Sequence, residues 1–155
     1  MTAASTAHAN FTIERIYHAS PARVFAAFAT QEAKARWFVG PAGTWTLIER
    51  SLDFRPGGRE TLKGAFGAGK ITFFDCIFFD IVEDRRIIYG YDMYHSGAKL
   101  SVSLVTIELF PEGKGTRLVF IQHAVFLDGY EDGGSRERGE GMGLDRLGMM
   151  LAEGV

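Results

Sequence analysis

The chain has 155 residues, 46% hydrophobic, 13% aromatic and 23% charged, proportions that suit one soluble globular domain. Seventeen Lys and Arg against nineteen Asp and Glu give a formal charge of −2, so no electropositive surface for nucleic acid is implied. A single cysteine, Cys76, excludes an intrachain disulfide framework and a Cys-based zinc site. No run approaches about 18 uninterrupted apolar residues and the first ten residues lack a signal-peptide pattern, so a cytoplasmic protein without a membrane span is expected.

Residues 1–10 are small and polar and are expected to form a flexible N-terminus, with one domain over 11–154. Phe11, Ile13 and Tyr17 share a period-2 register with Ile16 outside it, which predicts an opening strand. Ser20-Pro21 is a helix start: the serine can cap and the proline loses no hydrogen bond at the first helical position. Val24, Phe25 and Phe28 then fall on one helical face. A second short helix is expected from about Gln31 to Trp37, ending before Gly40-Pro41.

From Gly43 to about Ala124 strand-like runs alternate with turn signals. The turns fall at Asp53–Arg59, Gly64–Gly69, Glu83–Arg85, His95–Gly97 and Pro111–Gly115. Six strands as consecutive hairpins make an antiparallel meander, because the connections are too short for parallel crossovers. Leu144, Leu147 and Leu151 recur at i, i+3 and i+7 and predict a long C-terminal helix, with Asp145 and Arg146 facing out and Asp132 or Ser135 as its cap. The class is α+β, one sheet covered by one long helix. Gly139, Gly141, Gly143 and Gly148 weaken that helix by about 1 kcal/mol each relative to Ala. They leave room for a ligand, allow close packing on the sheet, or mark a helix that starts only after Gly143.

Several local motifs, in this order, resemble the START-like (SRPBCC) superfamily. The nearest resemblance is to the branch named for the activator of the heat-shock-protein-ninety ATPase homologue. The residues that carry it are Ala19-Ser20-Pro21 with Val24-Phe25, Arg36-Trp37-Phe38, Asp53 to Arg59, Phe79-Asp80-Ile81-Val82, Gly115-Thr116-Arg117-Leu118, Phe126 to Gly129, and the Arg136-Glu137-Arg138-Gly139 helix start. The resemblance implies a helix-grip fold, in which a curved antiparallel sheet of about six or seven strands surrounds the C-terminal helix and encloses an apolar cavity. Where relatives tend to carry Thr-Glu-Gln, this chain has Ile121-Gln122-His123, which removes a carboxylate from position 122.

Alternation sorts the inward residues. Leu118, Phe120 and Gln122 share one face of the last strand; Ser101, Ser103, Val105, Ile107 and Leu109 align on the strand before it, and Ile87, Tyr89, Tyr91 and Met93 on the one before that. Apolar walls with a polar end of Tyr89, Tyr91, Ser101, Ser103 and Gln122 are the make-up of a small-molecule pocket, although a filled core would show the same pattern. Trp37 and Phe38 are placed at its mouth together with Trp45. Glu60, and Phe73 and Asp75 in the apolar run Ile71–Phe79, complete the candidate ligand-binding set. A carboxylate among apolar residues would have a raised pKa, unless register turns Asp75 to solvent.

Gly64–Lys70 fits G-x-x-x-x-G-K but lacks the Ser or Thr and the helix that a phosphate loop needs. His8, His18, His95 and His123 show no metal spacing, His95 being expected in a solvated turn, and Cys76 has no basic neighbour in sequence. No cofactor and no metal are expected. The favoured reading is binding of a small hydrophobic or aromatic ligand. The alternatives are a cyclase- or hydrolase-like enzyme acting on a polyketide-like substrate, in which Glu60, Asp75, Tyr89 or Tyr91 moves a proton, and a chaperone-regulating module. Self-association as a homodimer is left open.

Overall fold

The computed structural model describes residues 4–67 and 69–153. The expected domain end at 154 and residues 1–3 of the expected flexible terminus lie outside the described residues. The elements are β1 (Thr6–Tyr17), α1 (Pro21–Ala29), α2 (Gln31–Lys34), β2 (Trp45–Leu52), β3 (Arg59–Phe66), β4 (Lys70–Val82), β5 (Arg86–His95), β6 (Ala98–Glu112), β7 (Gly115–Leu127) and α3 (Ser135–Ala152). They form one seven-stranded antiparallel sheet of order β1-β7-β6-β5-β4-β3-β2. The six later strands are the expected meander, and β1 closes it against β7.

β1 begins at Thr6, ahead of the expected Phe11, and Ser5 N already donates to Asp128 Oδ1, so residues 5–10 are not the expected flexible terminus. Thr6 to Asn10 pair with Leu127 to His123, and Asn10 Oδ1 meets His123 Nδ1 at 2.9 Å. Small polar residues on an edge strand are held by the backbone ladder, so they show no hydrophobic alternation. Ser20 caps α1 by accepting from Arg23 N at 3.2 Å, with Pro21 at the first helical position. Thr30 caps α2 in the same way, accepting from Ala33 N. That helix is a single turn ending at Lys34, and turns carry the chain on through Trp37.

α3 lies across the concave face of the sheet with Leu144, Leu147 and Leu151 buried as expected. Tyr17 Oη donates to Leu144 O at 2.7 Å, tying β1 to the middle of α3, and Arg23 Nη2 donates to Leu151 O at 3.1 Å near its end. Gly134 is the N-cap residue, so neither expected cap stands at that position; Asp132 still contributes, its Oδ1 accepting from Arg136 N at 3.0 Å. Asp145 faces out to meet Arg15 at 2.8 Å, but Arg146 turns inward, against expectation. Its Nε and Nη2 donate to Trp37 O and Val39 O at 3.1 and 2.6 Å, because the α2–β2 segment leaves those carbonyls without strand partners.

One half of the space under α3 is filled. There Phe54 stands edge-on to Phe25 and Phe78, with ring centroids 5.6 and 5.2 Å away, within a continuous apolar cluster. The other half is open. No helix among the described residues is long and apolar enough to cross a membrane.

Candidate functional site

Between α3 and the concave side of the sheet lies a cavity of about 500 Å³, within the usual range for small-molecule sites. Aromatic side chains make much of its wall, among them Phe28, Trp37, Phe38, Trp45, Phe66 and Phe74. Phe38 meets Phe74 edge-on at 5.1 Å, and Phe74 meets Tyr91 at 4.6 Å. Trp45 lies flat over two glycines. A Cβ on Gly40 or Gly64 would come within 2.2 or 2.0 Å of its indole, so both positions require the missing side chain.

α3 starts at Ser135, so the glycines lie within the helix and do not precede it, and they divide between the other two roles weighed from sequence. Gly139 and Gly143 line the cavity, and a Cβ there would meet nothing, or only Arg146 Nη2 at 3.8 Å. Gly148 instead packs on Tyr17, whose ring would be 3.1 Å from a Cβ, and a Cβ on Gly141 would lie 3.2 Å from Arg15 Nη2. The first pair makes space and the second makes close contact.

The polar wall is one hydrogen-bonded group. Gln122 Nε2 donates to Tyr91 Oη at 2.9 Å and to Ser103 Oγ at 3.0 Å, and all three residues are buried. Arg136 Nη1 donates to the same Tyr91 and Ser103 oxygens at 3.0 and 3.4 Å, while Nη2 donates to Ser101 Oγ at 2.9 Å. With both lone pairs of Tyr91 Oη occupied by donors, its proton is directed to Glu140 Oε2, 3.3 Å away. Burial pushes the Glu140 carboxyl up to about 7, against the opposing pull of Arg136, the Tyr91 hydrogen bond and Lys34. Burial, reinforced by Glu140, raises the Tyr91 phenol above its ordinary value, so it stays protonated at neutral pH.

A second buried polar pair stands apart from this wall. Lys34 Nζ contacts Glu60 Oε1 at 2.8 Å, with side-chain exposures of 6% and 2%, and lies 4.7 Å from the centroid of the Phe38 ring. Lys34 reaches the cavity wall, and Glu60 backs it from β3. Cys76, one strand over, is buried beside this pair, and desolvation pushes its thiol well above the ordinary range, which removes it as a nucleophile.

Of the expected ligand-binding residues, Trp37, Phe38, Tyr89 and Tyr91 line the cavity. Ser103 and Gln122 are buried immediately behind Tyr91. Glu60 points inward but is committed to Lys34. Phe73 and Asp75 lie on the opposite face of the sheet. Phe73 packs on Tyr94 and Asp75 Oδ1 accepts from Arg59 Nη2 at 2.7 Å, because the inward set of β4 is Phe74, Cys76 and Phe78. Both alternating sets of this strand are apolar, so period 2 alone does not choose between them. His95 ends β5 at the cavity wall instead of lying in a solvated turn. Gly64–Lys70 is the β3–β4 hairpin region, with Ala68 outside the described residues.

Arg136 and Glu140 were missed from sequence. Their signal was the leucine stripe itself: counting back from Leu147 and Leu144 in steps of three and four reaches Glu140 and then Arg136 on the same face. Among the described residues no cluster of His, Cys, Asp and Glu could hold a metal.

A curved antiparallel sheet gripping a C-terminal helix around an apolar cavity defines a START-like, helix-grip protein. The chain belongs to the family of Activator of Hsp90 ATPase homolog 1-like proteins, whose pattern matches residues 18–152. It is similar to the structure of an uncharacterized protein from Rhizobium leguminosarum, 42% identical over 98% of this chain and 99% of that one, with a TM-score of 0.93. A protein from Rhizobium loti is 41% identical over 94% and 98% of the two chains, with a TM-score of 0.86. A more distant structure, from Chromobacterium violaceum, is 26% identical over 91% and 95%, with a TM-score of 0.73. No curated protein matches the chain.

Proposed function

We propose that this chain is a ligand-binding protein whose cavity takes a small amphipathic molecule, with an aromatic or lipid-like body and a hydrogen-bonding end. The observation that carries this reading is the open space at Gly139 and Gly143, where the helix gives up side chains beside an aromatic-walled cavity of about 500 Å³. The body of the ligand would lie against Phe38, Phe74 and Trp45, and its polar end would meet Arg136, Tyr91 and Glu140. The lone buried Cys76 suits a reducing compartment such as the cytoplasm. Thermal-shift and native mass-spectrometric screening against aromatic and fatty molecules tests the reading. A stabilising ligand, lost on Gly143→Leu, supports it, and no hit across both classes rejects it.

One observation favours a second reading, a cyclase- or hydrolase-like enzyme. Glu140, held near neutrality against Tyr91, is poised to accept and return a proton, a role that contributes about 10²–10⁴-fold in rate where it operates. Turnover of a polyketide-like substrate that disappears in Glu140→Gln while binding persists would establish it.

A further inference from the structure

The charges around the cavity are unequal in how they are compensated. Lys34 is neutralised by Glu60 at 2.8 Å. Arg136 donates only to the hydroxyls of Tyr91, Ser103 and Ser101, and Arg146 only to main-chain carbonyls. Among the described residues no carboxylate lies within ion-pair distance of either guanidinium. Glu140 is the one carboxylate lining the cavity, and it is hydrogen-bonded to Tyr91, not to Arg136. With Lys34 and Glu60 cancelling, two cations face one ionisable acid. The walls between are apolar, where an uncompensated charge is costly and a matching one is strongly attracted.

We propose that the ligand is an amphipathic monoanion, a small aromatic carboxylate, with its charge at Arg136, and that binding it drives proton uptake by Glu140. This rests on the ligand-binding reading and names its ligand class. Arg136 has its Nη atoms at the cavity wall on neutral acceptors, which a carboxylate outcompetes because charge-assisted hydrogen bonds are about twice as strong. A carboxylate seated there adds a second negative charge beside Glu140. The seated carboxylate shares the Arg136 charge that favours ionised Glu140 and adds a like charge beside it, and both effects push the Glu140 carboxyl further up. The groups facing Glu140 are Arg136 from its own helix, Tyr91 and Tyr89 from β5, and Lys34 from α2. Both tyrosines stay neutral and Lys34 is held by Glu60; of the remaining proton acceptors, Glu140 stands beside Arg136 on α3 and His95 stands at the end of β5, and the Glu140→Gln variant assigns the proton to the first.

Isothermal titration calorimetry with three naphthalene probes of one shape tests this: 2-naphthoate, naphthalene-2-methanol and 2-naphthylmethylammonium, each at neutral pH in two buffers of different ionisation enthalpy. The expected result is naphthoate binding at least roughly tenfold tighter than the alcohol, the ammonium weakest, and a buffer-dependent enthalpy reporting net proton uptake with naphthoate. Arg136→Gln should narrow the naphthoate-to-alcohol ratio, Arg136→Lys should restore part of it, and Glu140→Gln should remove the buffer dependence. Because the proton count and the probe ranking are read on the wild-type chain, a poorly folded variant does not decide the outcome. Alcohol binding as tightly as naphthoate, preference for the ammonium, or a buffer-independent naphthoate enthalpy overturns the inference and leaves the cavity reading standing. Failure of all three probes to bind overturns the inference, and the screen across aromatic and fatty molecules then decides the cavity reading.

Discussion

Tyr91 Oη and Glu140 Oε2 face each other at 3.3 Å, one on the sheet and one on the helix, across the polar end of the cavity. The tyrosine accepts from Gln122 and Arg136, so its own proton points at the carboxylate. Gln122 thereby does its work at second hand: an amide that donates fixes the orientation of the phenol. The carboxylate that meets this phenol arrives from the opposite side, on α3.

Glu140→Gln should change stability in a pH-dependent way. The folded-state pKa of about 7 lies above the unfolded value, so the native chain binds more protons than the unfolded one between them, and wild-type stability falls as pH rises through that window. The glutamine variant lacks this loss. It should be more stable than wild type by about 1–3 kcal/mol at about pH 8 and nearly equal at about pH 5. Urea denaturation at the two pH values checks this, and an equal difference at both would contradict it.

Gly139→Ala and Gly148→Ala should move stability in opposite directions. At Gly139 the added methyl enters open space, and the helix gains about 0.5–1 kcal/mol. At Gly148 it presses on the Tyr17 ring at 3.1 Å and disturbs the residue that anchors β1 to Leu144 O, so a net loss of about 1 kcal/mol or more is expected. Thermal melts of the two variants decide.

Lys34→Met leaves the Glu60 carboxylate buried without its partner. A loss of about 3–5 kcal/mol is expected, and the double variant Lys34→Met with Glu60→Leu should recover most of it, since removing a buried pair together avoids the uncompensated charge. A double-mutant cycle by chemical denaturation measures the coupling.

Asp75→Asn should do little. The pair with Arg59 lies on the outer face with Arg59 59% exposed, so the change should cost less than about 1 kcal/mol and leave cavity binding intact. A large loss of ligand affinity would show that the outer face communicates with the cavity.

The fold was legible because its signals were local. Turn residues at Asp53–Arg59 and His95–Gly97 bounded the strands, Ser20-Pro21 opened α1, and the inward stripes of β5, β6 and β7 are buried almost as alternation placed them. The site was legible on the sheet side alone. Tyr91, Ser103 and Gln122 followed from period 2, whereas Arg136, Glu140 and Arg146 did not, because charged residues on a glycine-rich helix look like a solvated face. Only the cavity, a property of the gap between two elements, gives those side chains a reason to turn inward. Phe73 and Asp75 were misplaced for a different reason: in β4 both faces are covered with apolar side chains, and register rests on pairing with β3 and β5.

The pairing of β1 with β7 joins the first and last strands of the sheet, Thr6 opposite Leu127 and Tyr17 opposite Thr116. Every other neighbour in the sheet is also a neighbour in sequence, and such hairpins close quickly, while a contact spanning most of the chain is slow to form. During synthesis β1 must therefore wait, its ladder partner not yet made, until β7 has emerged. Tyr17, at the end of that strand, is what α3 docks against. The enclosed space is accordingly a late product of folding, and a chain interrupted before Gly115 holds most of the sheet's strands and no cavity at all.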